Sequence, residues 1–212
     1  AALHDAPLDR TALGGSLTGF FLGFSGTEFA QMLRTSPAGG SVYAATGSSV
    51  PVASGRLSFT LGLHGPCVSF ETACSSSLTA AHYASQSLKL NECAAALFAG
   101  VTLILLPDVS VSFALAGFTS LRGRCHTFDV RADGYLRSEA CCSALLELAE
   151  PGIAGDHPAL LGSSIQQDGR SASLTAPNGK AQEALIRASL ASSAMEPHDA
   201  SFAEAHGTGT AL

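Results

Sequence analysis

Apolar runs alternate along the chain with stretches in which apolar and small residues recur at helical spacing. Short continuous apolar runs are typical of strands inside a sheet, whereas apolar positions three or four residues apart indicate helices. In the first half of the chain this pattern predicts three strands, at 17–24, Cys67–Phe70 and 93–101. It also predicts three helices, at 27–33, Val50–Leu61 and 75–90.

The second half begins with a loop rich in turn residues at 122–134. Apolar runs after it predict strands at 142–148 and 160–165, which we expect to form an antiparallel pair. Asn178 is placed to cap a helix that runs to about residue 194, and a last strand is expected at 201–205. Strands that alternate with helices predict an α/β fold with a central sheet.

Composition supports one compact globular unit. The chain has 212 residues, of which 46% are hydrophobic and 13% charged, so it can bury a large core. Its formal net charge is −6 and its Lys and Arg residues form no cluster, so we expect neither a nucleic acid nor an anionic membrane as a partner. The longest apolar run, 93–106, has 14 residues and is too short to span a bilayer.

The six cysteines lack the regular spacing of a disulfide framework, and the chain has no C-x-x-C motif. We therefore expect neither a disulfide scaffold nor a metal site, and we expect an intracellular reducing compartment such as cytoplasm or plastid. The first residue is Ala1 rather than Met, so the sequence carries no evidence on a targeting segment.

Cys74 stands where a strand pattern breaks into small residues that open a helix. The free N–H groups and the positive dipole end of a first helical turn favour a charged thiolate, which is the nucleophilic form of cysteine. Three serines, Ser75, Ser76 and Ser77, follow it and add little bulk, so the thiol stays approachable. Free cysteines more often pack as small buried hydrophobes, and that interpretation of Cys74 remains open here.

A second candidate lies where the predicted strand 201–205 runs into a glycine-punctuated turn at 206–210. Glycines allow a tight turn, and the hydroxyls of Thr208 and Thr210 flank it. The turn lacks the lysine of a P-loop, so a nucleotide phosphate is a poor match. His206 is a candidate catalytic group, although a lone loop histidine is more often structural or solvated.

These two segments resemble the paired signature of the β-ketoacyl synthase family, in particular the ketosynthase domains of polyketide synthases. The signature segments are ETACSSSL at 71–78 and EAHGTGT at 204–210. The resemblance extends along the chain through YAATG at 43–47, SGRLSF at 54–59, GRCHTFD at 123–129, RADGY at 131–135, QDGR at 167–170 and TAPNG at 175–179. One departure is RSEACC at 137–142, where the family has a more glycine-rich stretch.

The resemblance implies a thiolase-like layered fold with central mixed sheets. It implies a decarboxylative Claisen condensation in which Cys74 carries an acyl group as a thioester and a malonyl-type extender on an acyl carrier protein supplies the enolate. His206 then corresponds to the first of two catalytic histidines and donates to the enolate oxygen. Thr208 and Thr210 correspond to the residues that hydrogen-bond the phosphopantetheine arm of the carrier protein.

The resemblance also implies a homodimer that binds no cofactor or metal of its own. In the family, a second catalytic histidine and a lysine follow the first histidine motif. Neither can be assigned to a residue of this sequence. We therefore expect residues 1–212 to be a partial ketosynthase domain, truncated at both ends and covering about half of it. Two alternatives stay open: a non-elongating module that transfers or shapes chains, and a piece that is inactive alone.

Overall fold

The computed structural model describes residues 10–26, 28–149 and 157–210. The chain divides into two compact units rather than the single unit expected from composition. The first comprises Ala1–Ser112 and Arg137–Pro151, and it contains the sheet. The second comprises Phe113–Leu136 and Gly152–Leu212, and it contains one long helix and extended loops.

The first unit is built on a four-stranded mixed sheet. Strand β1 pairs in parallel with β2 and β3, and β3 pairs antiparallel with β4, so the strand order is β2-β1-β3-β4. The mixed sheet predicted from the family resemblance is confirmed. The strands are β1 at Thr18–Phe24, β2 at Cys67–Phe70, β3 at Ala95–Thr102 and β4 at Ala140–Leu146.

Seven α-helices are found in the described residues, together with three short 3-10 turns. The α-helices are α1 at Arg10–Leu13, α2 at Glu28–Thr35, α3 at Ala44–Gly47, α4 at Val50–Leu61, α5 at Ser76–Lys89, α6 at Asp108–Leu115 and α7 at Gly179–Ser192. The 3-10 turns lie at Pro37–Gly40, Ala73–Ser75 and Pro197–Asp199. No described helix has both the length and the apolar character needed to cross a membrane.

The core lies on both faces of β1, because successive side chains of a strand point to opposite faces. Phe20 packs with Leu97 and Leu63 on one face. Phe21 packs on the other face against α5. Helix α5 presents Ala80, Ala84 and Leu88, spaced four residues apart, so its small side chains let it lie close to the sheet.

Most predicted elements of the first unit are confirmed. Helix α4 and strand β2 have the predicted bounds, and β1, β3 and α5 differ from prediction by no more than two residues at either end. Helix α2 begins at Glu28, and Thr27, the predicted first residue, lies outside the described residues. Helix α6 was missed, because its sequence, DVSVSFAL, alternates apolar and polar residues and lacks a clear helical period.

Two predicted strands in the second unit are wrong. Residues 160–165 and 201–205 have no strand in the structure. The predicted partner at 142–148 corresponds to β4, which lies two residues earlier, at Ala140–Leu146, and pairs with β3 instead. A strand is defined by hydrogen bonds to a neighbouring strand, and the described part of the second unit contains no strand for these apolar runs to pair with. Hydrophobic pattern identifies a potential strand but not its partner.

The predicted helix cap at Asn178 is confirmed. The Asn178 side-chain oxygen accepts a hydrogen bond of 3.4 Å from the Ala181 N–H at the start of α7. The Asn178 N–H in turn donates to the Asp168 carboxylate over 2.8 Å, and its side-chain amide donates to the Asp168 carbonyl over 3.0 Å. These bonds tie the loop at 168–170 to the beginning of α7.

A buried carboxylate holds the loop after β3 to α2 within the first unit. Glu28 is 5% exposed and accepts hydrogen bonds from the N–H groups of Leu105 and Leu106, the latter at 2.9 Å. Its other oxygen lies 3.4 Å from the Arg137 guanidinium, which also donates to the Ser110 hydroxyl over 2.5 Å. Burial alone would raise the pKa of Glu28, but the hydrogen bonds from Leu106 and Leu105 and the Arg137 charge outweigh it, so the pKa is lowered.

This network predicts a pH-dependent stability. Because the folded state lowers the pKa of Glu28, its contribution is present above the ordinary value of 4.5 and is lost as the pH falls through the lower folded-state pKa. We expect Glu28→Gln to reduce the free energy of unfolding in urea by about 2 kcal/mol at pH 7. The difference from the unsubstituted protein should shrink when the same urea titration is run near pH 3.

The exposed ion pair between Glu183 and Arg187 on α7 supplies the control. Glu183→Gln should lower the free energy of unfolding by only about 0.5 kcal/mol, because exposed pairs are screened by water. A difference between Glu28→Gln and the unsubstituted protein that stays constant from pH 7 to pH 3 would show that the Glu28 charge does not stabilise the fold.

Candidate active site

Cys74 lies in the sharp turn that links β2 to α5. It is the middle residue of the 3-10 turn Ala73–Ser75, and its side chain is exposed. Ala73, directly before it, has a φ of +54°, a left-handed conformation that non-glycine residues seldom adopt. The interpretation of Cys74 as a buried core side chain is therefore wrong, and the buried cysteine of this unit is Cys93.

Serine and threonine hydroxyls hold this turn together. The buried Ser76 hydroxyl accepts from the Thr72 N–H and donates to the Ala73 carbonyl, both over 2.8 Å. The Ser75 hydroxyl donates to the Thr72 carbonyl over 2.9 Å. From the sequence, these serines are expected to add little bulk and to hydrogen-bond locally near the start of the helix, which leaves the thiol accessible. In the structure they also fix the backbone on both sides of Cys74, and Ser76 is the one that bridges the left-handed residue.

Two glycines allow the start of α5 to rest directly on the sheet. Gly23 of β1 and Gly100 of β3 are paired in register, and both face the first turn of α5. A Cβ atom at Gly23 would overlap the Ser76 carbonyl group and lie 2.6 Å from the Ser77 backbone nitrogen. A Cβ at Gly100 would lie 2.6 Å from the Ser77 Cβ. Both glycines were missed, because a lone glycine in a strand pattern does not reveal what approaches it.

A cavity of about 390 Å³ opens beside Cys74 within the first unit. Its walls come from the end of β1, the start of α5, and the facing parts of β3 and β4. This volume is at the lower end of the range for small-molecule sites, roughly 300 to 1,000 Å³. The described residues that line it include no Asp, Glu, Lys, Arg or His, so the cavity suits an uncharged group.

His206, Thr208 and Thr210 lie together in one turn of the second unit. His206 is exposed, and the glycines between these residues, Gly207 and Gly209, have left-handed φ values of +51° and +65°. The Thr208 and Thr210 hydroxyls are 3.1 Å apart and hydrogen-bond each other. The structure thus confirms a tight glycine turn here and brings three of the four predicted site residues onto it.

The loop at 122–134 holds this turn in place by hydrogen bonds to its backbone. The Thr127 hydroxyl donates a short hydrogen bond to the Gly207 carbonyl, and the Gly134 N–H donates to the Gly209 carbonyl over 3.0 Å. Within the supporting loop, Arg131 donates to both carboxylate oxygens of Asp129, which keeps the pKa of Asp129 well below its usual range. Residues of the loop at 122–134 and of the turn at 206–210, which are far apart in sequence, are therefore joined in one hydrogen-bonded network.

Cys74, the fourth predicted residue, belongs to the first unit. Within the described residues, no group of three or more His, Cys, Asp and Glu side chains is arranged to hold a metal ion. All six cysteines are free. The chemistry available in the first unit is that of an accessible thiol beside an uncharged cavity.

Comparison with known proteins identifies the family to which these features correspond. Residues 1–151 match the family described as "Beta-ketoacyl synthase, N-terminal domain". Residues 157–212 match "Beta-ketoacyl synthase, C-terminal domain". Together the two matches cover nearly the whole chain.

Curated relatives are large polyketide synthases. The chain is 43% identical over 213 residues to the spectinabilin polyketide synthase system protein NorC of Streptomyces orinoci, covering 99% of this chain and 9% of that protein. It is 41% identical over 214 residues to erythronolide synthase EryA2 of Saccharopolyspora erythraea, covering 100% of this chain and 6% of that protein. The chain therefore spans less than a tenth of the length of these two relatives.

Solved structures agree with the sequence matches. A ketosynthase from module 6 of the bacillaene synthase of Bacillus subtilis 168 superposes with a TM-score of 0.86 at 34% identity, covering 99% of this chain and 36% of that one. The oxazolomycin ketosynthase domain OzmH KS7 of Streptomyces albus JA3453 superposes with a TM-score of 0.88 at 32% identity, covering 98% of this chain and 37% of that one. The predicted thiolase-like fold is confirmed by these ketosynthase neighbours.

The close approach of α5 to the sheet predicts a specific effect of Gly23→Ala. The new methyl group would meet backbone atoms of Ser76 and Ser77, which cannot rotate away, so the turn carrying Cys74 must shift. We expect a loss of about 1 to 3 kcal/mol in the free energy of unfolding. We also expect a changed rate of Cys74 alkylation by iodoacetamide, measured by mass spectrometry of the peptide that contains it.

Gly55→Ala on α4 is the matched control, because a Cβ there meets nothing within 4 Å. It should leave Cys74 alkylation unchanged and should not destabilise the protein, since alanine favours a helix over glycine. Equal behaviour of the two variants would contradict the role assigned to Gly23.

Proposed function

The chain belongs to the β-ketoacyl synthase family, and on that premise we propose that it catalyses decarboxylative Claisen condensation in polyketide chain elongation. The single observation that carries this proposal is the position of Cys74. Its exposed thiol lies at a strand-to-helix turn beside an uncharged cavity, which suits a nucleophile that must hold an acyl chain.

The first half-reaction is acyl transfer to Cys74. The Cys74 thiolate adds to the carbonyl carbon of an acyl thioester, and the tetrahedral intermediate then collapses with loss of the donor's thiolate, which takes up a proton from solvent. The Cys74 backbone N–H would contribute to the oxyanion hole that stabilises the tetrahedral intermediate. Splitting condensation through an acyl-cysteine means that the two carrier-bound chains never have to react directly.

The second half-reaction forms the carbon–carbon bond. A malonyl-type extender loses carbon dioxide, and the resulting enolate attacks the carbonyl carbon of acyl-Cys74. The carbon–sulfur bond to Cys74 then breaks and a β-ketoacyl thioester is released. His206 would donate a hydrogen bond to the enolate oxygen as negative charge develops there, the assignment that its motif suggests.

The extender is proposed to arrive on an acyl carrier protein. Its phosphopantetheine arm belongs to that substrate, and no resident cofactor or metal is part of the mechanism. Thr208 and Thr210 would hydrogen-bond the arm, and the 3.1 Å contact between their hydroxyls supports a shared role. As in the family, the working protein is proposed to be a homodimer. No observation on the described residues favours the non-elongating alternative.

The proposal predicts that Cys74 becomes acylated. Incubation of the protein, produced from its complete coding sequence, with a short acyl thioester should add one acyl mass to the peptide that contains Cys74. Cys74→Ala should abolish this adduct and the condensation activity, while Cys67→Ala, which removes an exposed thiol of β2, should keep both. An acyl group found on another residue, or condensation by Cys74→Ala, would refute the proposed mechanism.

The role of His206 predicts that the two half-reactions separate. His206→Ala should still form acyl-Cys74, because the histidine acts on the extender, but condensation should fall by at least about 100-fold. His198→Ala, at another exposed histidine of the same unit, is the control and should retain condensation. Product formation by chromatography measures the second half-reaction and intact mass the first. Unchanged condensation in His206→Ala would remove this residue from the catalytic set.

A further inference from the structure

Cys142 of β4 lies in the same row of the sheet as the two glycines beneath α5. Gly23 pairs with Gly100, and Gly100 pairs with Cys142, so the three residues are neighbours across β1, β3 and β4. Paired residues on adjacent strands project to the same face of a sheet. At Gly23 and Gly100 that face is occupied by Ser76 and Ser77 of α5. Cys142 is therefore the residue of this row that has a side chain, and that side chain projects to the face on which α5 lies.

Cys142 and Cys74 line the same cavity. The next row of the same face contributes Phe98 of β3 and Ala144 of β4, which are also register partners and also line it. Phe98 packs against the core cluster under α5, so it cannot swing aside without loss of packing. Ala144 has only a methyl group. Of these three wall residues, Cys142 is the one that is neither packed against the core cluster nor limited to a methyl group, so both a larger and a smaller side chain there change the cavity.

The neighbouring residue on β4 supplies an internal contrast. Cys141 pairs with Val101, one position along from the Gly100 row, so its side chain projects to the opposite face. Cys141 does not line the cavity, although it is exposed and chemically identical. The two adjacent cysteines, which the sequence leaves indistinguishable, therefore have different surroundings.

We propose that Cys142 is a specificity-determining residue that limits the size of the acyl group held on Cys74. This inference rests on the proposed function for its substrate, an acyl chain bound through Cys74. Because the described lining contains no ionisable side chain other than the cysteines, the group it accepts is an uncharged acyl chain. A larger side chain at 142 shortens the space for that chain, and a smaller one extends it.

Alkylation of Cys74 tests the cavity wall without requiring catalysis. The protein, produced from its complete coding sequence, is treated with iodoacetamide or N-octyl iodoacetamide, and the rate of modification is followed on the peptide that contains Cys74. Cys142→Ser is the reference, because it keeps the size of the side chain and removes the competing thiol. Cys142→Leu should slow the octyl reagent relative to iodoacetamide by about tenfold, and Cys142→Ala should speed it.

Cys141→Leu and Cys141→Ala are the matched controls and should leave the ratio of the two rates at its reference value. The rate with iodoacetamide alone reports whether each variant still presents Cys74 normally, so a Cys142→Leu variant that fails to fold is recognised. In that case Cys142→Ala decides the question, because it must still raise the relative rate of the octyl reagent. Equal ratios in Cys142→Ala and the reference would overturn the proposal.

Acyl loading provides a second arm. Acetyl, hexanoyl and decanoyl thioesters are offered in turn, and the acyl adduct on Cys74 is measured for each variant. The preference should shift to shorter chains in Cys142→Leu and to longer ones in Cys142→Ala. If no variant is acylated, the proposed function fails while the alkylation ratios still report on the wall. If all variants are acylated with one chain-length preference, the proposed function stands and Cys142 is not a specificity residue.

Discussion

The close approach of the start of α5 to the sheet is the constraint on which the thiol site depends. Gly23 and Gly100 leave no side chain between β1, β3 and this helix, so the backbone of Ser76 and Ser77 rests directly on the strands. Such contact fixes the distance of the helix from the sheet and the rotation of the helix about its own axis, because close-packed atoms cannot be compressed. The turn before the helix is tight: Ala73 is left-handed, and its carbonyl accepts a hydrogen bond from the Ser76 hydroxyl. Cys74 is the exposed middle residue of this turn.

The cavity beside Cys74 depends on the same arrangement. Helix α5 touches the sheet at Gly23 and Gly100. It does not cover Cys142, the residue of β4 in the same row, which is exposed and lines the cavity. The space that remains is bordered by β3 and β4 residues of one face. Glu28 holds the loop after β3 and, through Arg137, the segment just before β4. A buried carboxylate with several hydrogen bonds to it thus stabilises the ends of the strands that form the cavity wall.

The second unit shows a different kind of organisation. Its described part has no sheet, and its candidate turn is supported by hydrogen bonds from the loop at 122–134. That loop carries two of the segments on which the family resemblance rests, GRCHTFD and RADGY. Their correspondence to the family has a physical meaning in this structure: Thr127 and Gly134 bind the backbone of the turn that carries His206, Thr208 and Thr210. These segments of the loop thus have a structural role, because they hydrogen-bond the turn that carries the candidate site residues.

The sequence by itself determined most elements of the first unit, the position of Cys74 between a strand and a helix, and the cap at Asn178, because these depend on local periodicity and local hydrogen bonds. It also determined the family, through motifs whose order and spacing are specific. Only the tertiary structure decided that β4 pairs with β3, that the runs at 160–165 and 201–205 are not strands, and that Cys142 faces the cavity while Cys141 does not. Each of these depends on which strand lies alongside which, and strand pairing joins residues too distant in sequence for local pattern to specify.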